Sequence, residues 1–319
     1  MTNFRVLIAG GAGFLGAKLC ELLLDAEHVV YCLDNFQTGN IARIEHLLTR
    51  YNFSLIQQSV TEPIRGDFEH IYNLASPASP PQYQKDPIDT FKTNILGTLN
   101  LLEYATANCS KFLQASTSEV YGDPLVHPQP ETYFGNVNPI GIRSCYDEGK
   151  RGAETLIYDF QRFHQTNIRV ARIFNTYGPG MDISDGRVIS NFIVQALTGK
   201  NITIYGDGNQ TRSFCYRDDL VHGLIALMNA EDSVSEPVNL GNPDEMNLRD
   251  LADLILRLTN SDSEIVFNNA VSDDPQQRRP DVTRAAKLLD WSPKISLEEG
   301  LQKTISYFQS VCMSIGAEC

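Results

Sequence analysis

A doubly wound, parallel α/β fold is predicted for this chain of 319 residues by three features of its order. Apolar runs of strand length alternate with helical segments as far as Asn175, the repeat expected of strands laid side by side with helices packed across them. The first run, Arg5-Val6-Leu7-Ile8-Ala9-Gly10, enters a glycine-rich turn that opens a helical segment. The second run, His28-Val29-Val30-Tyr31-Cys32-Leu33, ends in a carboxylate, Asp34. Together these predict a Rossmann-type sheet, followed by a smaller C-terminal α/β substrate domain.

Local chemistry justifies each element. In Gly10-Gly11-Ala12-Gly13-Phe14-Leu15-Gly16, Gly10 permits the tight turn and Gly13 lets a pyrophosphate approach amides at the helix start. Gly16 lets helix and strand pack closely. Asp34, eighteen residues later, would accept hydrogen bonds from an adenosine ribose and repel a 2′-phosphate, which favours NAD over NADP. Strands are expected at 53–58, 70–75, 111–117 and 168–175, and helices at 40–50, 86–108 and 144–164. Past Tyr177-Gly178-Pro179-Gly180 the pattern becomes irregular, with helices expected at 186–198, 218–230, 248–258, 283–289 and 297–309 and strands at 202–205 and 238–241. This divides the chain into a nucleotide-binding unit, 1–179 with 213–241, and a substrate unit, 180–212 with 242–319.

The chemistry concentrates at two places. Lys111-Phe112-Leu113-Gln114-Ala115 leads into Ser116-Thr117-Ser118-Glu119, so hydroxyls and a carboxylate fall at the C-terminal end of a strand, where open α/β sheets bind ligands. Tyr146 and Lys150 are four apart on the 144–164 helix, so phenol and ammonium share one face. A lysine beside a phenol favours the phenolate and makes the tyrosine a usable base. With this composition, about 0.4 such pairs are expected by chance, so the pair gains meaning only from the strand end that precedes it.

Composition excludes several classes. No stretch has the apolar length of a membrane span, and the start, Met1-Thr2-Asn3-Phe4-Arg5, leads straight into a strand, so a cytoplasmic protein is expected. Seven cysteines without a Cys-x-x-Cys read as reduced thiols, and the histidines show no metal-ligand spacing. A formal charge of −13 argues against nucleic acid or anionic membrane as partner. An anionic substrate would therefore need a local arginine cluster, for which Arg187, Arg212 and Arg278 are candidates.

Beyond these motifs the chain resembles the extended short-chain dehydrogenase/reductases, and within them the UDP-glucuronate decarboxylases. The likeness runs through residues 34–39, 72–80, 116–128, 138–139, 143–150, 172–179, 185–192 and 276–281. Its most selective parts are Thr117-Ser118-Glu119-Val120-Tyr121-Gly122-Asp123-Pro124 and Gln276-Gln277-Arg278-Arg279-Pro280-Asp281. The resemblance implies a homodimer that turns UDP-glucuronate into UDP-xylose with NAD regenerated each cycle. It makes Tyr146 the base, Lys150 its partner and a nicotinamide-ribose ligand, and Thr117 the group bonded to the sugar 4-oxygen. Glu119 and Arg278 fall on positions linked with decarboxylation. Ser118 stands where related dehydratases carry an acid, which disfavours loss of water. It also implies NAD contacts from Gly10, Gly13, Phe14, Leu15, Gly16, Asp34, Asn35, Phe36, Thr38 and Gly39, and from Ser59, Val60, Leu74, Ser76 and Thr93. Substrate contacts are implied for Lys92, Asn175, Arg187, Tyr205, Arg212 and Arg278. The chain departs from the pattern at Ser59, usually aspartate, at Gly180, usually arginine, and at Arg65, often tyrosine.

Two other functions remain open from sequence. A UDP-sugar 4-epimerase would use the same Tyr, Lys and NAD without losing carbon, and a catalytically silent NAD-binding regulator would keep the fold alone.

Overall fold

The computed structural model describes residues 3–269 and 277–314, so Gln276 and Cys319 lie outside the described residues. In chain order the first half contains β1 (Arg5–Ala9), α1 (Phe14–Asp25), β2 (Val29–Asp34), β3 (Phe53–Gln57) and β4 (His70–Asn73). Then come α2 (Pro80–Tyr83), α3 (Pro87–Lys92), α4 (Thr98–Asn108), β5 (Lys111–Thr117), α5 (Ser144–His164) and β6 (Ile168–Ile173). The second half contains β7 (Thr176–Tyr177), α6 (Val188–Leu197), β8 (Ile202–Tyr205), β9 (Thr211–Ser213), β10 (Cys215–Tyr216), α7 (Arg217–Asn229) and β11 (Val238–Leu240). It closes with β12 (Glu245–Asn247), α8 (Leu248–Thr259), β13 (Ile265–Asn268), β14 (Gln277–Arg278), α9 (Thr283–Leu289) and α10 (Leu297–Ser314).

Seven strands form one parallel sheet in the order β11-β6-β5-β4-β1-β2-β3. Both faces are covered, which is why its strands read as continuous apolar runs rather than alternating ones. Val6, Ile8 and Val30 face Leu19 and Leu23 of α1 and Leu220 and Leu224 of α7. Leu7, Phe112 and Val170 face the other way, onto Leu101 and Leu102 of α4 and Ile157 of α5. Strand order reverses between β1 and β4, and the crevice above that point is where such sheets hold ligands.

A second core gathers Ile193 of α6, Ile204 of β8, Leu251 and Ile255 of α8 and Phe308 of α10. Beside it β12, β9 and β14 form a three-stranded sheet. The segment around α9 returns to the large sheet, where Ala285 and Trp291 join the core beneath α7.

Three expected elements come out differently, the 86–108 helix among them, since a π-helical turn, Thr93–Gly97, separates α3 from α4. The 40–50 helix is replaced by two short 3-10 turns, Ile41–Arg43 and Glu45–Leu47. Ile44 and Leu47, three residues apart, are both buried, and the 3-10 turns put them on one side of the segment. The 168–175 strand breaks after Ile173, and Thr176–Tyr177 pairs with β10 instead. Among the described residues no helix is long and apolar enough to cross a membrane, and no group of His, Cys, Asp and Glu could hold a metal ion.

Candidate active site

The site grows out of the end of β5. Thr117 closes the strand, and Ser118–Tyr121 turns as a 3-10 helix with the Thr117 hydroxyl accepting the Glu119 backbone N–H at 3.2 Å. Across from it the first turn of α5 delivers Tyr146, which is 7% exposed, and one turn later Lys150, 3% exposed. The Tyr146 ring stacks on Tyr83 with centroids 5.2 Å apart, and its phenol is hydrogen-bonded to Thr117.

Burial pushes the Tyr146 phenol well above its usual range, while the Thr117 hydrogen bond and the nearby Arg187 charge pull it down. Lys150 does not depress the phenol as its spacing led us to expect. Its Nζ donates to the Ala115 carbonyl at 2.9 Å and stands 5.8 Å from the tyrosine ring centroid, so dehydration of the phenol dominates. Burial also lowers the Lys150 ammonium to about 8.

That last shift has a stability consequence. The folded protein carries the full cost of the buried charge below about pH 8, and the cost fades as pH rises toward the ordinary lysine value of 10.5. Lys150→Met is therefore expected to stabilise the fold near neutral pH by about 2 kcal/mol, after allowing for the lost bond to Ala115. Urea midpoints measured across pH check this. A variant no more stable than the parent at neutral pH, or a gap that widens above pH 10.5, refutes it.

Glu119 is held from behind by two guanidiniums. Arg278 grips it bidentately, Nη1 to Oε1 at 2.6 Å and Nη2 to Oε2 at 2.8 Å, and Arg143 Nη2 reaches Oε2 at 2.9 Å. Burial alone would raise the Glu119 carboxyl, but Arg278 and Arg143 hold it below the usual range. Arg187, at the start of α6, is paired bidentately with Asp185 and lies over the Phe14 ring at 5.6 Å. Asp185 leaves Arg187 less free charge than the bare sequence suggests.

A long cleft tests the fit of a dinucleotide. One part is bounded by Asp34, Asn35, Gly39, Ser59, Val60 and Thr93, the other by Thr117, Glu119, Tyr146, Lys150, Asn175 and Arg187. Gly10, Gly13, Thr38, Leu74 and Ser76 border both and join them. Gly10 has φ +79, and a Cβ there would strike the Leu74 backbone. Each Asp34 oxygen accepts one backbone N–H, from Ala12 at 2.9 Å and Phe36 at 2.8 Å, leaving lone pairs for ribose hydroxyls. The residues fit NAD.

Not every expected residue reaches the cleft. Phe14, Leu15, Gly16 and Ser118 line it, whereas Phe36 only supplies its backbone to Asp34. Lys92 and Tyr205 are exposed outside it. Arg212 and Arg278 are buried cross-strand neighbours on β9 and β14, and Arg278 meets the cleft only through Glu119. Sequence reasoning missed Asp185 and gave Arg143 no role of its own. Arg143 carries no local signal, since Glu119, its partner, is brought to it by folding, whereas Asp185 could have been found as a carboxylate two residues before Arg187.

The chain matches the NAD dependent epimerase/dehydratase family over residues 6–241. It is 54% identical over 305 residues to UDP-glucuronic acid decarboxylase 1 of Xenopus tropicalis, covering 96% of this chain and 72% of that protein. To UDP-glucuronic acid decarboxylase 5 of Arabidopsis thaliana it is 52% identical over 301 residues, covering 94% and 88%. Among solved structures, UDP-glucuronic acid 4-epimerase from Bacillus cereus in complex with UDP-glucuronic acid and NAD aligns with a TM-score of 0.89. That pair shares 28% identity, over 96% of this chain and 99% of the other.

Proposed function

The chain belongs to the NAD dependent epimerase/dehydratase family, and from that premise we propose that it converts UDP-glucuronate to UDP-xylose and carbon dioxide. Bound NAD would take hydride from sugar C4 and later return it, so that none is consumed. The protein's share is proton handling, orientation and charge. Tyr146 accepts the proton of the 4-hydroxyl, Thr117 orients that oxygen, and the Thr117 hydrogen bond and the Arg187 charge favour the phenolate. With C4 a ketone, the carboxylate on C5 belongs to a β-keto acid, and the electrons left by departing carbon dioxide delocalise into an enolate. Reprotonation at C5 then yields the xylose ring.

The observation that carries this reading is the clamp of Arg278 and Arg143 on Glu119, beside the Thr117 and Tyr146 hydroxyls. In the proposed complex it would set strong charge next to the carbon that loses its carboxylate. The names borne by relatives at 52% to 54% identity point the same way. A 4-epimerase, the activity named for the Bacillus cereus structure, is the second reading. Mass spectrometry of the product formed from UDP-glucuronate separates them. UDP-xylose is expected, and an unchanged mass with inverted C4 rejects decarboxylation.

A further inference from the structure

Behind Glu119, on the side away from the Thr117 and Tyr146 cleft, a second cavity is lined by Glu119, Asp123, Asn136, Asn138, Arg143 and Asp147. Asp147 follows Tyr146 on α5 but borders this cavity and not the cleft. It is 7% exposed, and its Oδ1 is buried with no hydrogen-bond partner. A carboxyl so placed costs free energy when charged. Burial first, then Glu119, pushes it up to about 7, against the pull of Arg143 and Arg278.

The groups around it come from several elements. Glu119 faces it from the turn after β5, the Tyr83 phenol from α2, and Arg278 from β14. Arg143, Cys145, Tyr146 and Glu148 face it from its own segment, and Asp123 across the cavity is exposed to solvent. The cluster, with Asp147 and Arg278 buried and Glu119 and Arg143 partly so, thus holds two guanidiniums, one clamped carboxylate and one carboxyl able to keep or release a proton. With Asp147 protonated the set carries one net positive charge, and with Asp147 ionised it carries none.

Resting on the decarboxylase reading, we infer that Asp147 is a positioning residue that couples entry of the substrate carboxylate to uptake of a proton. UDP-glucuronate binds together with that proton and UDP-xylose binds without it. A uronate arriving at Glu119 adds negative charge to a poorly solvated cluster, which disfavours a further ionised carboxyl. By linkage, ligand and proton then raise each other's affinity. UDP-xylose has no carboxylate and leaves Asp147 to ionise as before. The reaction itself takes up one proton at C5, where the bond to the carboxylate carbon is replaced by a C–H bond as carbon dioxide leaves. Discrimination between substrate and product therefore falls as pH rises.

The test uses the NAD-loaded Tyr146→Phe protein, whose slowed turnover is shown to be negligible by the absence of carbon dioxide over the titration, in calorimetric titrations at about pH 8, where Asp147 starts out ionised. Two buffers of different ionisation enthalpy give the proton count. Uptake approaching about one proton is expected with UDP-glucuronate and none with UDP-xylose. Adding Asp147→Asn should abolish the uptake, and Asp147→Glu should restore it. Uptake undiminished by Asp147→Asn assigns the proton elsewhere and overturns the inference. Equal counts for the two ligands overturn it as well, without any substitution at 147, should the Asn variant fail to fold. Failure of the decarboxylase reading shows separately, as absence of UDP-xylose from the unmutated enzyme.

Discussion

Tyr146→Phe lowers turnover of UDP-glucuronate by about 10³-fold while its affinity for UDP-glucuronate stays within about threefold, as expected when a general base is lost and the binding surface is kept. The substitution removes one oxygen. The ring remains to stack on Tyr83, and the Thr117 hydroxyl still accepts the Glu119 N–H. Loss of one buried hydrogen bond costs about 1 kcal/mol of stability, too little to unfold a chain with two extensive cores. Any large loss of activity is therefore chemical rather than structural. Steady-state kinetics with a parallel binding titration decide the matter, and turnover within about tenfold of the parent removes Tyr146 from the proton transfer.

The parts of this site that sequence made legible are those whose signal is local. The Gly10 to Gly16 turn is set by backbone approach, and the Tyr146 and Lys150 pair by helical spacing on α5, whose limits at Ser144 and His164 match the expected ones. Strand β5 likewise begins and ends where its apolar run and hydroxyl cluster put it. What was not legible depends on partners distant in sequence. β9, β12 and β14 are two or three residues long, and only their pairing makes them strands. The position of Arg278 against Glu119, 159 residues earlier, could not be read from either segment and rested on resemblance. The pKa of Tyr146 went the opposite way from the spacing argument because dehydration of the phenol, invisible in sequence, outweighs its neighbours.

Arg278→His is expected to separate the two halves of the reaction. In the proposed mechanism oxidation at C4 depends on Thr117, Tyr146 and Lys150, whereas the Arg278 side chain bonds Glu119. In the proposed mechanism carbon dioxide leaves beside Glu119, whose carboxylate would keep only Arg143 as a cationic clamp. A histidine cannot reproduce the two parallel N–H bonds at 2.6 and 2.8 Å, so Glu119 is left under-compensated and less well oriented. Carbon dioxide release should slow by about 10²-fold while a 4-keto uronate accumulates to amounts visible by mass spectrometry. Stability should fall too, by about 2 to 3 kcal/mol, since a buried pair loses one member while Arg143 retains part of the charge balance. The two effects come apart in the double variant with Glu119→Gln. Removing the stranded carboxylate should recover most of the stability and none of the decarboxylation. If carbon dioxide release proceeds at the parent rate in Arg278→His, or if the double variant regains it along with its stability, the clamp serves the fold and not the chemistry.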